Sequence, residues 1–191
     1  MTTAERERWR AACAELAART RARFDALAAW SAADARLAEH RPAPGAWTVR
    51  EVLEHVALAD RCLLVLAQKI AQKSARRALA GAPWPAHPPR FEHLARLSSR
   101  ELVWRHPAHM TPSGAGALAD HGRRLRADRD ACLALLAAQP AGEGTLHVIR
   151  MSVVGGDDRL DLYQYIECLG LHARRHLAQL ERNAASAAQN P

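Results

Sequence analysis

The sequence predicts an all-α protein, a four-helix bundle with a long crossover connection between its second and third helices. Alanine and leucine dominate the 191 residues and β-branched residues are scarce, a composition that favours helices over strands. Hydrophobic residues recur at three- and four-residue steps in four long segments, the period of a helix with one buried face. We place these helices at about residues 3–39, 48–80, 117–139 and 158–186 of a single domain spanning residues 1–191.

Proline and glycine separate the first three predicted helices. The segment His40–Ala46, with two prolines and one glycine, ends the first helix. Thr48 and Glu51 have the spacing of a capping box, so the second helix begins there. On this helix we expect the core stripe to include Leu66 and Glu54 to face solvent. The proline-rich connection 81–116 then joins distant helix ends.

This connection also carries histidines without helical spacing, so we interpret them as loop residues. The segment His106–His109 could bring one ligand to a pocket. After the third helix, Thr145–Val154 has strand character and ends at Gly155-Gly156. Asp157 or Asp158 is then expected to cap the fourth helix.

Charge and cysteine usage exclude several classes of protein. The net charge is +7, but the basic residues are almost all arginines scattered along every segment, so nucleic-acid binding is not expected. The four cysteines lie far apart with no CxxC spacing, which is typical of buried thiols in a reducing compartment. No apolar run approaches a membrane span and the N-terminus is charged, so we expect a cytoplasmic protein.

The fourth predicted helix contains the most informative pattern, His172 and His176 one turn apart on its inward face. Such a pair aims both imidazoles at a common point, which is how a helix offers two nitrogen ligands to one transition metal. Ala173 and Arg174 stand where a zinc protease of the HExxH type would have its catalytic glutamate, so that activity is excluded.

His55, near the start of the second helix, is the candidate third ligand. It would face the histidine pair if the second and fourth helices are neighbours, and bundle cores are a usual location for such sites. Three neutral imidazoles leave open positions for water or substrate, the arrangement of a catalytic site, and suit zinc, nickel or iron. The alternative is that the histidines are core residues hydrogen-bonded to carbonyl groups.

Two segments, Pro44–Val56 and His172–Leu180, carry motifs that resemble those of the DinB-like superfamily. Pro44–Val56 is similar to its Pro-x-x-Trp-Ser/Thr-x-x-Glu entry to the second helix, which precedes a metal-binding histidine. His172–Leu180 is similar to its closing H-x-x-x-H-x-x-Q-[IL] motif. The resemblance implies a bundle, often a homodimer, that holds a divalent metal on His55, His172 and His176. Members with assigned activities are thiol-dependent transferases or isomerases, and others are regarded as metal-dependent hydrolases.

Three further residues are candidates for the surroundings of the site. Glu51, one turn before His55, could orient that imidazole or serve only in the capping box. Cys62 and Trp47 are pocket candidates, although a buried inert thiol and a packed turn are the alternatives. No residue is assigned as the catalytic acid or base.

The leading hypothesis is therefore a metal-dependent transferase or hydrolase that activates a low-molecular-weight thiol or water at three histidines. The alternative is a non-catalytic small-molecule-binding or dimeric stress-response bundle, with a structural metal or none.

Overall fold

The protein is mostly helical, as predicted for the all-α class. The structure is a computed structural model that describes residues 2–83, 85, 87–88, 90–99, 102, 106–151 and 159–189. Its α-helices are α1 (Thr3–Ala29), α2 (Ala35–Glu39), α3 (Val49–Leu79), α4 (Leu118–Ala138) and α5 (Leu162–Gln189). Short 3-10 helices occur at Trp30–Ala32, Glu92–Ser98, Ala108–Met110 and Glu143–Leu146. Strands β1 (Ile149–Arg150) and β2 (Arg159–Leu160) form a small antiparallel pair.

The first predicted helix is interrupted, so its expected continuity to residue 39 is wrong. After α1 the chain makes a 3-10 turn in which the Ser31 hydroxyl donates to the Ala28 carbonyl, with an Oγ–O distance of 2.7 Å. The Asp34 carboxylate then accepts from the Leu37 amide at 2.8 Å and begins α2. These short polar side chains hydrogen-bond locally and compete with a continuous helical backbone.

The second and third predicted helices are confirmed as α3 and α4. Thr48 forms the predicted capping box, because its hydroxyl accepts from the Glu51 amide and the Glu51 carboxylate accepts from the Thr48 amide. One expectation on α3 is wrong: Leu66 is 38 % exposed rather than part of the core stripe. Its neighbours Ala67 and Ile70 are fully buried instead.

The last helix begins later than predicted. Arg159–Leu160 is extended and pairs with β1, and the Asp161 carboxylate accepts from the Gln164 amide at 2.9 Å to cap α5. The predicted turn at Gly155-Gly156 and the predicted caps Asp157 and Asp158 lie outside the described residues.

The long helices pack so that α1 and α3 each contact both α4 and α5. Part of the predicted crossover between α3 and α4 covers this core, since the 3-10 helix Glu92–Ser98 packs on α5 with Leu94 and Leu97 fully buried. Within the described ranges, no helix combines the length and hydropathy needed to cross a membrane. The contact between α3 and α5 places the start of one helix beside the middle of the other.

Substitution of Gly122 tests how tightly α4 packs against the turn after α1. A methyl group at this buried position would overlap the Ser31 side chain, which is itself hydrogen-bonded in place. Overpacking costs about 1–3 kcal/mol, more than the roughly 1 kcal/mol that alanine gains over glycine in a helix. We therefore expect Gly122→Ala to lower the free energy of unfolding in urea denaturation.

The double variant Ser31→Gly/Gly122→Ala supplies the control for this prediction. Removing the Ser31 side chain makes room for the new methyl group, so the cost of Gly122→Ala should be smaller in the Ser31→Gly background. Equal costs in the two backgrounds would show that this contact does not limit the packing.

Candidate metal centre

Three buried histidines from two helices converge at one point. His55 comes from α3 and is 4 % exposed, while His172 and His176 come from α5 and are 4 % and 6 % exposed. One potential ligand nitrogen from each residue lies within 4.8 Å of the other two. The predicted convergence of these residues is confirmed, whereas metal binding by them stays a prediction.

The imidazole orientations follow from what each Nδ1 atom contacts. His55 Nδ1 lies 2.8 Å from the Met110 carbonyl oxygen, and His176 Nδ1 lies 2.9 Å from Gln179 Oε1. A carbonyl or amide oxygen can only accept, so each Nδ1 donates its hydrogen. The lone pair of each neutral ring is then on Nε2, the atom that a metal would use.

His172 and His176 approach each other through these same atoms, with 3.1 Å between the two Nε2 nitrogens. Two lone pairs cannot face each other at this distance without a proton or a cation between them. Nitrogen ligands about 2.1 Å from one ion stand roughly 3.0–3.4 Å apart in octahedral or tetrahedral geometry. The spacing and donor chemistry therefore fit a divalent transition metal.

Burial keeps all three rings neutral, the form in which imidazole binds metal. Loss of solvation lowers the pKa of His55 and of His172 from 6.5 to about 4. The same cause, with the neighbouring imidazoles, holds the pKa of His176 well below 6.5. Protons therefore do not compete strongly with a cation for these nitrogens near neutral pH.

The three histidines line a cavity of about 430 Å³. The pocket candidate Trp47 lies in its wall, with its ring 4.7 Å from the His55 ring. Cys62, the other pocket candidate, does not line the cavity, because the adjacent Leu63 points there instead. A turn residue and an apolar α3 side chain thus form part of the wall.

The connection before α4 supplies part of the same wall. His106 lines the cavity with its ring 5.1 Å from that of His55, but it does not join the three-histidine cluster. Met110 contributes both a wall and the carbonyl that contacts His55. The exposed His109 does not line the cavity.

Of two glutamates on α3, Glu51 has the predicted capping-box role and Glu54 differs from expectation. Glu51 caps the helix and pairs with Arg41 at 2.9 Å, and it is the Met110 carbonyl that contacts His55 Nδ1. Glu54, expected to face solvent, is in fact buried and accepts from the Ser113 and Gly114 amides. Glu54 therefore anchors the chain just after Met110 to α3.

Three polar groups beside the histidines are not predicted as their partners in the sequence analysis. Gln179 belongs to the H-x-x-x-H-x-x-Q motif, and its i, i+3 spacing from His176 could have identified the contact between them. Asp60 is fully buried, and its Oδ1 lies 3.9 Å from His172 Nδ1. A single acidic residue on the apolar stripe of α3 was the available signal. The contact from the Met110 carbonyl had no signal in the sequence, because it is made by a backbone group.

The lowered histidine pKa values predict an acid-sensitive metal-free protein. Unfolded histidines take up protons near pH 6.5, whereas folded His55 takes one up only near its pKa of about 4. The contribution of neutral His55 to the free energy of unfolding is thus complete above pH 6.5 and is lost as the pH falls toward 4. The slope is at most about 1.4 kcal/mol per pH unit for one residue.

We therefore expect His55→Gln to flatten the pH dependence of the unfolding free energy, measured by urea denaturation in the presence of a chelator. Buried Asp128 and Asp161, whose pKa values are raised to about 6, act in the opposite direction in both proteins and cancel in the comparison. His109→Gln, at an exposed position, should keep the slope of the wild type. Identical slopes for His55→Gln and the wild type would contradict the lowered pKa of the buried His55 ring.

One of three comparisons with known proteins finds a match, which is to a family that covers the three histidines. No curated protein and no solved structure matches the chain. The family model described as the DinB superfamily matches residues 16–180, a range that includes all three histidines. Because that match covers most of the 191 residues, the chain belongs to the DinB superfamily.

Proposed function

We propose that this chain is a metal-dependent transferase or hydrolase, a four-helix bundle that holds a divalent transition metal on His55, His172 and His176. The observation that carries the proposal is the convergence of three buried imidazoles at the wall of a cavity. Membership of the DinB superfamily is compatible with a metal site of this kind. Imidazole ligands suit zinc, nickel or iron.

Three protein ligands leave room for a further ligand from the cavity, the usual arrangement of a catalytic site. When bound, a divalent ion lowers the pKa of a thiol or water in its open position toward neutrality. The chain would supply the nucleophile's surroundings: neutral imidazoles, and the Trp47, Leu63 and Met110 side chains that limit access of bulk water. A low-molecular-weight thiol is the proposed co-substrate.

The cavity suits a small molecule with an apolar body and an anionic group. Its described wall is largely apolar, while Arg175 adds a guanidinium group close to His172 and His176 on α5. Arg175 also donates to the Ser99 carbonyl, which connects α5 to the segment that follows the 3-10 helix Glu92–Ser98. A carboxylate or thiolate on the substrate would be favoured beside this cation.

The alternative is a non-catalytic binding or stress-response protein in which a metal only braces α3 against α5. The two roles differ in what chelation does, because a structural ion contributes its binding free energy directly to folding. Retention of the circular-dichroism spectrum and Tm after chelation would favour the catalytic role. We also propose that the chain forms a homodimer, which light scattering can test.

The proposed function predicts that the purified protein contains bound metal. Protein purified without a metal-affinity tag should contain close to one equivalent of zinc, nickel or iron by plasma mass spectrometry. His55→Ala and His176→Ala each remove one of three ligands, so both should lose the metal while staying folded.

His109→Ala serves as the matched control, since His109 is an exposed histidine three residues from the cavity-lining His106. It should retain the metal content of the wild type. A wild-type protein that contains no metal and takes up none from added salts would overturn the proposed enzyme. The histidines would then be core residues.

A further inference from the structure

Asp60 is a buried acid for which the proposed reaction has no direct use. It lies on α3, on the side facing α4 and α5, and its side chain is fully shielded from solvent. Neither carboxylate oxygen has a hydrogen-bond partner among the described residues. Burying an acid in this way is costly, so its position calls for a physical reason.

On the histidine side, Asp60 Oδ1 lies 3.9 Å from His172 Nδ1. This contact completes a pattern, because Nδ1 of His55 faces the Met110 carbonyl and Nδ1 of His176 faces Gln179 Oε1. Each imidazole thus has an oxygen on the side away from the shared centre. For His172 that oxygen belongs to a carboxyl group, whose pKa burial raises, so a cation at the shared centre would be needed to favour its ionised form.

The tautomer of His172 gives this contact its significance. A ring that offers its Nε2 lone pair to a cation must carry its hydrogen on Nδ1. A buried N–H group without an acceptor costs about 1–3 kcal/mol, so this tautomer needs an oxygen at Nδ1. Asp60 Oδ1 lies about 1 Å beyond normal hydrogen-bond length, so the proposed hydrogen bond requires the two groups to move closer together.

We propose that Asp60 is a positioning residue for the metal centre: it accepts from His172 Nδ1–H, selects the tautomer with Nε2 free, and places a carboxylate behind this one ligand. The inference rests on the proposed function, since it concerns the same three histidines. Partners of this kind fix the ring orientation and increase the basicity of the ligand.

A second buried acid, Asp128, can show whether the contact of Asp60 with His172 matters or only the burial of an acid. Asp128 on α4 is also nearly inaccessible, but its Oδ1 lies 2.9 Å from Arg124 Nε, and among the described residues its electrostatic neighbours are Asp60 and Arg124 rather than a histidine. It resembles Asp60 in burial and chemistry and differs in its partner. Arg124 also acts electrostatically on Asp60, which helps to balance a charge at that position.

The test measures zinc affinity by chelator competition in the wild type, Asp60→Asn, Asp60→Leu and Asp128→Asn. Loss of such a partner typically weakens metal binding by about 10–100-fold. We expect the Kd to rise by this factor in Asp60→Leu, which removes both acceptor and charge, and by less in Asp60→Asn, which keeps an acceptor. Asp128→Asn should bind zinc as the wild type does.

A spectroscopic measurement reports the tautomer directly. In zinc-loaded protein with 15N-labelled histidine, we expect the wild-type His172 ring to be protonated at Nδ1, with a downfield proton resonance that Asp60→Leu loses. A His172 ring protonated at Nε2 in the zinc-loaded wild type overturns the inference, and so does an Nδ1 proton that lacks the downfield resonance of a hydrogen bond to a carboxylate. This measurement needs no variant, so it decides even if Asp60→Leu does not fold.

The outcomes also separate this inference from the proposed function. A wild-type protein that binds no zinc overturns both. A wild type that binds zinc, with an unchanged Kd in folded Asp60→Leu, overturns only the role of Asp60. Equal weakening in Asp60→Leu and Asp128→Asn would likewise overturn it, because burial of an acid rather than contact with His172 would then explain the loss.

Discussion

The packing of α3 against α5 is the constraint on which the site depends. It places His55 beside His172 and His176 and buries all three rings almost completely. Burial removes the imidazoles from water and lowers their pKa values, so the cluster is a set of neutral nitrogen donors rather than a set of cations. A core that merely filled space would be served better by apolar side chains, since each buried imidazole must be hydrogen-bonded.

The structure meets that requirement at Nδ1 of His55 and His176 and places a carboxyl group 3.9 Å from Nδ1 of His172, so groups from three different parts of the chain face the rings. Gln179 comes from α5 itself, Asp60 comes from α3, and the Met110 carbonyl comes from the connection that precedes α4. Glu54 holds the connection in place by accepting from two amides just beyond Met110. The segment that forms part of the cavity wall is therefore also the segment that orients one candidate ligand, which couples the shape of the cavity to the geometry of the site.

Charge is unevenly distributed around the histidines. Two of the three face neutral oxygens, whereas His172 faces a carboxyl group, with Asp128 and Arg124 on the adjacent face of α4. On the cavity side, Arg175 provides a positive charge close to the same α5 histidines. In the proposed metal-bound state, a cation at the centre would favour the ionised form of Asp60 behind His172, and Arg175 on the cavity side would favour a nucleophile or substrate that carries negative charge.

The sequence by itself determined the helical class, the positions of α3 and α4 and the identity of the three histidines. These features follow from local signals: hydrophobic periodicity, the Thr48 capping box and an i, i+4 pair on one helical face. The break after α1 and the later start of α5 depended on Ser31, Asp34 and Asp161, whose side chains hydrogen-bond to the backbone only in particular turns. Only the tertiary structure decided what surrounds the histidines, because a backbone carbonyl has no residue signature and the burial of an acid depends on which helices face it.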